Sequence, residues 1–342
     1  MAEASRRYVS KGVAHVVLAP GAEQVPVTFV LLPGFTMLAF SSAIEPLRMA
    51  NQLTGQELFR WQVLTEDGKP MACSNGLQVI ADGSWLGTQP DGLIFVCSGV
   101  EPETKGSPAL ADWLRGLWRR GRIVGGLCTG AYTLAKAGIL KGRRFTLHWE
   151  NIEGFTESYP DLPPARQVFT IEDRVMTCAG GVAAADLMLK IIHDRFGAKV
   201  SQEVMNMCLL TQRRDDKDQQ TTSLAARLGT RHDKLLQAAE FLEARIEEEF
   251  DLDACADHLD LSRRQIERLF HRYLDTTPVR YMNDLRLARG RALLAETDLK
   301  VTEVAVACGY ASTSHFSKSF RKKYGVSPYR FSHFGLTGAP GG

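Results

Sequence analysis

The apolar residues in the first part of the chain come in short runs separated by stretches of helical spacing. Val27–Leu32, Trp61–Thr65, Gln78–Ala81, Leu93–Cys97, Arg122–Gly126, Arg144–Leu147, Gln167–Ile171 and Val175–Cys178 predict strands. Ala39–Asn51, Ala109–Arg120, Ala131–Gly138 and Ala183–Phe196 predict helices. Strands that alternate with helices predict a mainly parallel sheet covered on both faces. The grammar changes near residue 211. The stretch "TQRRDDKDQQTTS" is polar, charged and aperiodic, which predicts a linker or an exposed helix end. Beyond it no strand pattern appears, and Asp233 to about Tyr329 is helical pattern with short breaks. The expected organisation is a loose arm over 1–24, an α/β domain over 25–210, a linker over 211–231, an all-α domain over 232–335 and a tail over 336–342.

The helical half repeats itself. "SRRQIERLFHRYLDTTPVRY" from Ser262 and "STSHFSKSFRKKYGVSPYRF" from Ser312 superpose with an offset of 50. Ser262 meets Ser312, Ile266 meets Phe316, Phe270 meets Phe320, Pro278 meets Pro328 and Tyr281 meets Phe331. Two copies of one supersecondary unit explain this. In each copy a small-residue helix leads to a turn, at Asp260 or Gly309, and a serine then caps a second helix. That is a helix-turn-helix made twice.

Charge changes the picture further. The sum over all 342 residues is only +2. Residues 231–261 hold 3 basic and 10 acidic side chains, whereas 262–335 hold 14 basic and 6 acidic, a net of +8. Basic charge therefore gathers on both capped helices and the segment between them, as phosphate binding requires. One such turn is a weak signal, since an ordinary helical bundle with a basic face has similar corners. Two complete copies predict DNA binding.

At these residues a family resemblance appears. "VTEVAVACGYASTSHFSKSFRKKYGVSPYRF" closely resembles the second helix-turn-helix of AraC-type transcriptional regulators, and the match runs over roughly 100 residues. The resemblance implies a seven-helix domain with two recognition helices in successive major-groove segments. The helix near Val279–Glu296 would hold them about one DNA turn apart. It implies base contacts from Arg264, Glu267 and Arg268 on the first helix and from Thr313, Ser314, Ser317 and Lys318 on the second, each good pair being worth about 1–3 kcal/mol of discrimination. Arg263, His315, Arg321 and Lys322 are assigned to phosphate. His315 is equally consistent with packing on its own helix. For each of these residues, a solvated surface role competes with contact.

In the first half, "GLCTGAY" mounts Cys128 between an apolar run, Ile123-Val124, and a helical pattern, as a nucleophile is mounted on a sharp strand-to-helix turn. "FVLLPGFTMLAFSSAIEPLRMAN", "GLCTGAYTLAKAGILKGRRFTLHW" and "MTCAGGVAAADLMLKIIHDRFG" resemble the PfpI-like, class I glutamine amidotransferase-like fold over about residues 25–200. The resemblance implies a flavodoxin-like, amidotransferase-like sheet. Against its enzymes the catalytic set is incomplete. PfpI-type peptidases carry His after the cysteine, where this chain has Thr129. Their acidic residue would fall near Ala39, and Glu45 lies farther along the helix. His148-Trp149-Glu150 resembles the amidotransferase His-x-Glu pair but follows Cys128 by only 20 residues. No working catalytic residue is expected, and Cys128 is a degenerate nucleophile.

A ligand pocket is the better use of such a turn, because open α/β sheets bind small molecules beyond their strand ends at the switch point. The turns expected there hold Phe35, Thr36, Ser98, Gly99, Cys128, Thr129, His148, Trp149 and Gly180. Amides after Cys128 could hold a carboxylate, and Phe35 and Trp149 could face a cationic amine, with core packing the competing role for each ring. The order of the two domains resembles the GlxA subgroup of AraC-type regulators. That implies a regulator, an activator by expectation, with double-stranded DNA, a small effector and RNA polymerase as partners, acting as a homodimer. Members of the subgroup often answer to amino-acid or quaternary-amine metabolites such as glycine betaine, carnitine or arginine. The rivals are a PfpI-type cysteine hydrolase or amidotransferase with a DNA tether, and a ligand-independent architectural DNA binder.

The remaining composition narrows the setting. Seven scattered cysteines without a CxxC pair favour neither a disulfide framework nor a zinc site, and no metal or cofactor is implied. They point to a reducing, cytoplasmic compartment. The most apolar stretch, residues 25–40, is broken by Pro33-Gly34 and is too short on either side to span a bilayer. Arg6-Arg7 has no apolar run close behind it, so no export signal is expected.

Overall fold

The structure, a computed structural model, describes residue 9 and residues 12–19, 21–220, 224–230 and 232–334. The tail 336–342, Gly335, Arg231 and Arg6-Arg7 lie outside the described residues. The chain divides into two compact units, residues 1–220 and 221–342.

In the first unit the chain runs β1 (Val25–Leu31), α1 (Met37–Thr54), β2 (Phe59–Thr65), β3 (Met71–Ala72), β4 (Gln78–Val79), β5 (Gly83–Ser84) and β6 (Leu93–Cys97). It continues through α2 (Pro108–Arg119), β7 (Ile123–Leu127), α3 (Ala131–Lys136), a 3-10 turn (Trp149–Asn151) and α4 (Ile152–Ser158). It closes with β8 (Phe169–Glu172), β9 (Val175–Cys178), α5 (Ala183–Phe196) and α6 (Ala198–Met207). The main sheet has the spatial order β5-β2-β1-β6-β7-β9-β8. All its pairs are parallel except β8 with β9. Strand order reverses between β1 and β6, so the switch point lies at their carboxyl ends.

The period of two in the central strands sorts side chains to two cores. Phe29, Leu31, Phe95 and Cys97 point to one face with α1 and α5, and Val30, Leu32, Ile94 and Val96 point to the other with α2 and α3. Both faces are covered, as the runs of apolar residues require. Full burial of each Phe or Leu contributes about 1.5–3 kcal/mol. Asn51, fully buried on α1, exchanges two hydrogen bonds with the backbone of Phe59, so its polarity is satisfied and α1 is locked to β2.

Four expectations need correction. Arg144–Leu147 is not a strand, and among these residues Thr146 makes a single bridge to Ala165. The Thr146 amide donates to the Thr177 hydroxyl, so a side chain takes the place of a ladder partner. Gln78–Ala81 contributes only Gln78–Val79, which pairs with β3 in a separate two-stranded sheet. The arm over 1–24 is tied down at Val16, which is buried and whose amide donates to Leu53 O at 2.7 Å. The linker over 211–231 is not free over its first half. Arg214 donates through two guanidinium nitrogens to one oxygen of the buried Asp186 and through its backbone amide to the other, Val168 N donates to Asp218 O, and Gln220 N donates to Arg166 O.

The second unit holds α7 (Leu224–Arg227), α8 (Asp233–Glu243), α9 (Leu252–Leu259), α10 (Arg263–Leu274), α11 (Pro278–Glu296), α12 (Val301–Ala307), α13 (Thr313–Tyr324) and α14 (Pro328–Phe334). Among the described residues no helix is long and apolar enough to cross a membrane.

Candidate functional site

Each half of the second unit builds the same reading element. Asp251 caps α9 by accepting from the amides of Asp253 and Ala254, and α9 ends at Asp260 in the left-handed region, φ 52°. Ser262 then caps α10 in a capping box with Gln265, each side chain accepting from the other's backbone amide. In the second half α12 leads to Gly309, φ +68°, and Ser312 caps α13 by accepting from His315 N at 3.2 Å. Such a cap is worth about 1 kcal/mol. Ile266 and Phe270 on α10, and Phe316 and Phe320 on α13, are fully buried. Their spacing leaves the opposite faces to solvent.

On α10 the open face carries Arg264, Glu267 and Arg268, all exposed. His271 continues it at the same helical spacing; the sequence reading missed it, although the three-and-four periodicity points to it. On α13 Ser314, His315, Lys318, Arg321 and Lys322 are exposed, whereas Thr313 and Ser317 are half-buried. The His315 ring meets Tyr310 edge-on at 5.4 Å, so packing holds it in part. Arg263 is paired with Asp253 across the turn at 3.1 Å, which competes with its expected phosphate contact.

In the first unit the predicted elbow forms after β7. Cys128 is left-handed, φ 60°. A Cβ on Gly180 would lie 2.6 Å from Cys128 Cβ, and a Cβ on Gly126 would lie 2.8 Å from the Gly130 carbonyl carbon. Neighbouring loops are laced to it. Thr36 N donates to Ser98 O at 3.2 Å, Thr129 Oγ1 donates to Gly99 O at 2.7 Å, and His148 N donates to Cys128 O at 3.3 Å. The turns after β1, β6, β7 and β9 and the Leu147–Trp149 segment therefore converge at the switch point.

The thiol's partner is the Thr36 hydroxyl, 3.5 Å away. Burial pushes the Cys128 thiol up, and nearby Glu150 adds to this, while the Thr36 hydroxyl and the Thr129 amide pull the other way. Burial pushes His148 down, against the opposing effect of Glu150, so its ring is neutral at pH 7. Its acidic neighbour is Glu150, at 3.9 Å. Burial opposes the thiolate form that a cysteine nucleophile requires. Among the described residues no group of three or more His, Cys, Asp or Glu is arranged to hold a metal.

Of the nine ligand candidates, Trp149 is exposed, Thr36 and His148 are half-buried, and Cys128 is buried with its thiol against Thr36. Thr129, Ser98, Gly99 and Gly180 are buried and serve the lacing. Phe35 does not face a ligand: it is 0% exposed and packs edge-on against Phe40 at 5.7 Å. Leu38, Val100 and Val182 are exposed apolar residues near these turns that the sequence did not single out. Leu38 lies against Gly181 and Val100 against Gly34, so both border the same turns.

Comparison with known proteins agrees with this geometry. Residues 26–194 match the DJ-1/PfpI family, and residues 255–333 match a helix-turn-helix domain family. The HTH-type transcriptional regulator CdhR of Pseudomonas aeruginosa is 43% identical over 88% of this chain and 89% of its own length. The HTH-type transcriptional regulator GlxA of Rhizobium meliloti is 35% identical over 88% of this chain and 93% of its own. A solved structure of an AraC family transcriptional regulator from Pseudomonas putida is 27% identical with a TM-score of 0.50, covering 54% of this chain and 99% of that one. A strand-end elbow joined to a doubled helix-turn-helix thus defines a class, the DNA-binding transcriptional regulators with an α/β domain of DJ-1/PfpI type. Within that class the chain belongs to the AraC-type HTH regulators that carry a DJ-1/PfpI domain, the GlxA-type group.

Proposed function

We propose that this DNA-binding regulator is an activator controlled by a small amino-acid-like or quaternary-amine metabolite, bound over Cys128 among Thr36, His148 and Trp149. One observation supports the reading: Cys128 is buried and its thiol meets the Thr36 hydroxyl at 3.5 Å, so the turn suits a binding floor better than a nucleophile. Trp149 supplies an exposed π face and Glu150 a carboxylate, a pairing that favours a cation. The first domain is a sensor, not an enzyme, and the protein works as a homodimer in the cytoplasm, engaging RNA polymerase at its promoters.

The site is wired to the end of its unit. The Gln220 amide group donates to Thr146 Oγ1 and to Leu147 O, each at 2.7 Å, and Leu147 precedes His148, whose amide bonds Cys128 O. Movement of the Leu147–Trp149 segment on binding therefore reaches the residue that leads out of the first unit. On the DNA side, Arg264, Glu267 and Arg268 read bases of one half-site, and Thr313, Ser314, Ser317 and Lys318 read the other. Arg263, His315, Arg321 and Lys322 hold phosphate.

A thermal-shift screen of amino acids, betaines and polyamines on the full chain tests the sensor reading. A hit that also changes DNA affinity supports it; turnover of the ligand that Cys128→Ser abolishes would mark a hydrolase, whereas a sensor turns nothing over and keeps its ligand within a small factor in that variant. No shift with any of these classes would count against the effector proposed. Arg264→Ala or Arg268→Ala is expected to relax preference at one or two bases of a selected site, by about 1–3 kcal/mol each. A uniform loss over all sequences would place those residues on phosphate.

A further inference from the structure

The helical unit has two hydrophobic cores. Leu235, Cys255, Ile266, Phe270 and Met282 belong to the first; Leu287, Val304, Phe316 and Phe320 belong to the second. Helix α11 contributes Met282 to one and Leu287 to the other, so the boundary between cores falls within that helix. If α11 alone joined the halves, each could rock about it.

At the boundary, polar atoms meet instead. Arg286 of α11 donates through Nε to Ile246 O at 2.9 Å and through a terminal nitrogen to Glu248 O. Arg289, on the same face one turn later, is ion-paired with Glu247 and keeps only 17% of its side chain exposed. Residues 246–248 lie in the segment between α8 and α9, which belongs to the first half. The turn of the second half comes to the same place. A Cβ on Gly309 would lie 2.6 Å from Ile246 O, 2.8 Å from the Arg286 terminal nitrogen and 2.9 Å from Glu247 O. The backbone of one half therefore touches the turn of the other, with Arg286 bound beside the contact.

We propose that Arg286, Arg289 and Gly309, set against the Ile246–Glu248 backbone, fix the separation and phase of the two recognition helices and so dictate the spacing of the DNA segments the protein accepts. They are positioning residues and need not touch DNA. Adding one base pair between half-sites moves the second by about 3.4 Å and rotates it by about 35°. A rigid pair of heads rejects that change, whereas a hinged pair follows it. The inference rests on both halves docking together, as proposed above.

The test uses the full chain and a duplex site that it selects from a random pool. The spacer is then shortened or lengthened by one and two base pairs, and affinities are measured for wild type and variants. Wild type is expected to lose about tenfold or more for one base pair. Arg286→Ala should cut that penalty to about threefold or less, while base changes within either half-site cost the same as in wild type. Glu247→Arg and Arg289→Glu should each loosen spacing, and the double swap should restore it; this pair decides the matter if Arg286→Ala does not fold. A folded Arg286→Ala with the wild-type penalty, or single swaps without effect, would overturn the node. A wild type indifferent to spacing would remove the two-headed reading itself, and the node with it.

Discussion

Cys128 carries two opposed instructions. Its left-handed backbone, held by glycines too crowded to be replaced, presents the side chain beyond the end of β7. A Cβ on Gly130, for instance, would meet the Val96 carbonyl at 2.4 Å. Burial then withholds the charge that a nucleophile needs, because it raises the thiol from its ordinary 9.0. The sign of the consequence follows from proton counting. Above 9.0 and below the raised value, the folded chain keeps a proton that the unfolded chain has lost. The thiol's contribution to stability is therefore intact below the unfolded value and is lost as pH rises through the folded one. Comparing wild type with Cys128→Ser cancels the other groups. In urea titrations at pH of about 7 and about 10, the stability difference should shift against wild type at the higher pH. A difference independent of pH would mean that the thiol ionises as freely folded as unfolded.

Among the elements, α11 has glycine at 290, in its interior, where alanine is ordinarily better by about 1 kcal/mol. Here the sign reverses. A Cβ at 290 would lie 2.7 Å from the Phe316 ring, which is fully buried and packed on Tyr310 and Phe320. Overpacking of this kind costs about 1–3 kcal/mol, so Gly290→Ala should lower the thermal midpoint of the full chain. A raised midpoint would show that the ring yields. The serine caps and the inward Ile266, Phe270, Phe316 and Phe320 could be read from the chain because caps and periods are local. Helix α6 could not, since its buried face includes Ser201, whose polarity hides the stripe until its hydroxyl is seen to donate to Leu189 O. The strand-like content of Arg144–Leu147 was equally misleading, because Thr146 spends its amide on a threonine side chain from β9. At the candidate site the elbow and its converging turns follow from glycine placement near the strand ends. The fate of Phe35 depends on Phe40 and the partner of Arg263 on Asp253, and both are contacts that no local pattern encodes.

For the whole molecule, the connection between the first unit and the reading heads runs through very little chain. Gln220 ends the first unit, and α7 begins at Leu224, where Arg227 pairs with Glu243 of α8 and Glu243 in turn bonds the Tyr281 hydroxyl of α11. Only residues 221–223 separate the two anchors in sequence. Coupling between effector and DNA is a free energy shared by both sites, so it can be weakened without harming either one. Gln220 allows that separation. Its side chain carries the bonds to Thr146 and Leu147, next to the candidate site, whereas its backbone amide is held independently by Arg166 O at 2.9 Å, two residues from the Val168–Asp218 contact. Gln220→Ala removes the first set and leaves the second. With an effector found in the screen, the variant should bind that effector and bare DNA within about twofold of wild type. The factor by which the effector changes DNA affinity should fall toward one. Titrations of labelled duplex with and without saturating effector give both quantities from the same samples. Equal factors in variant and wild type would mean that the signal leaves the first unit by another route, and a variant that loses effector binding as well would place Gln220 in the site's own support.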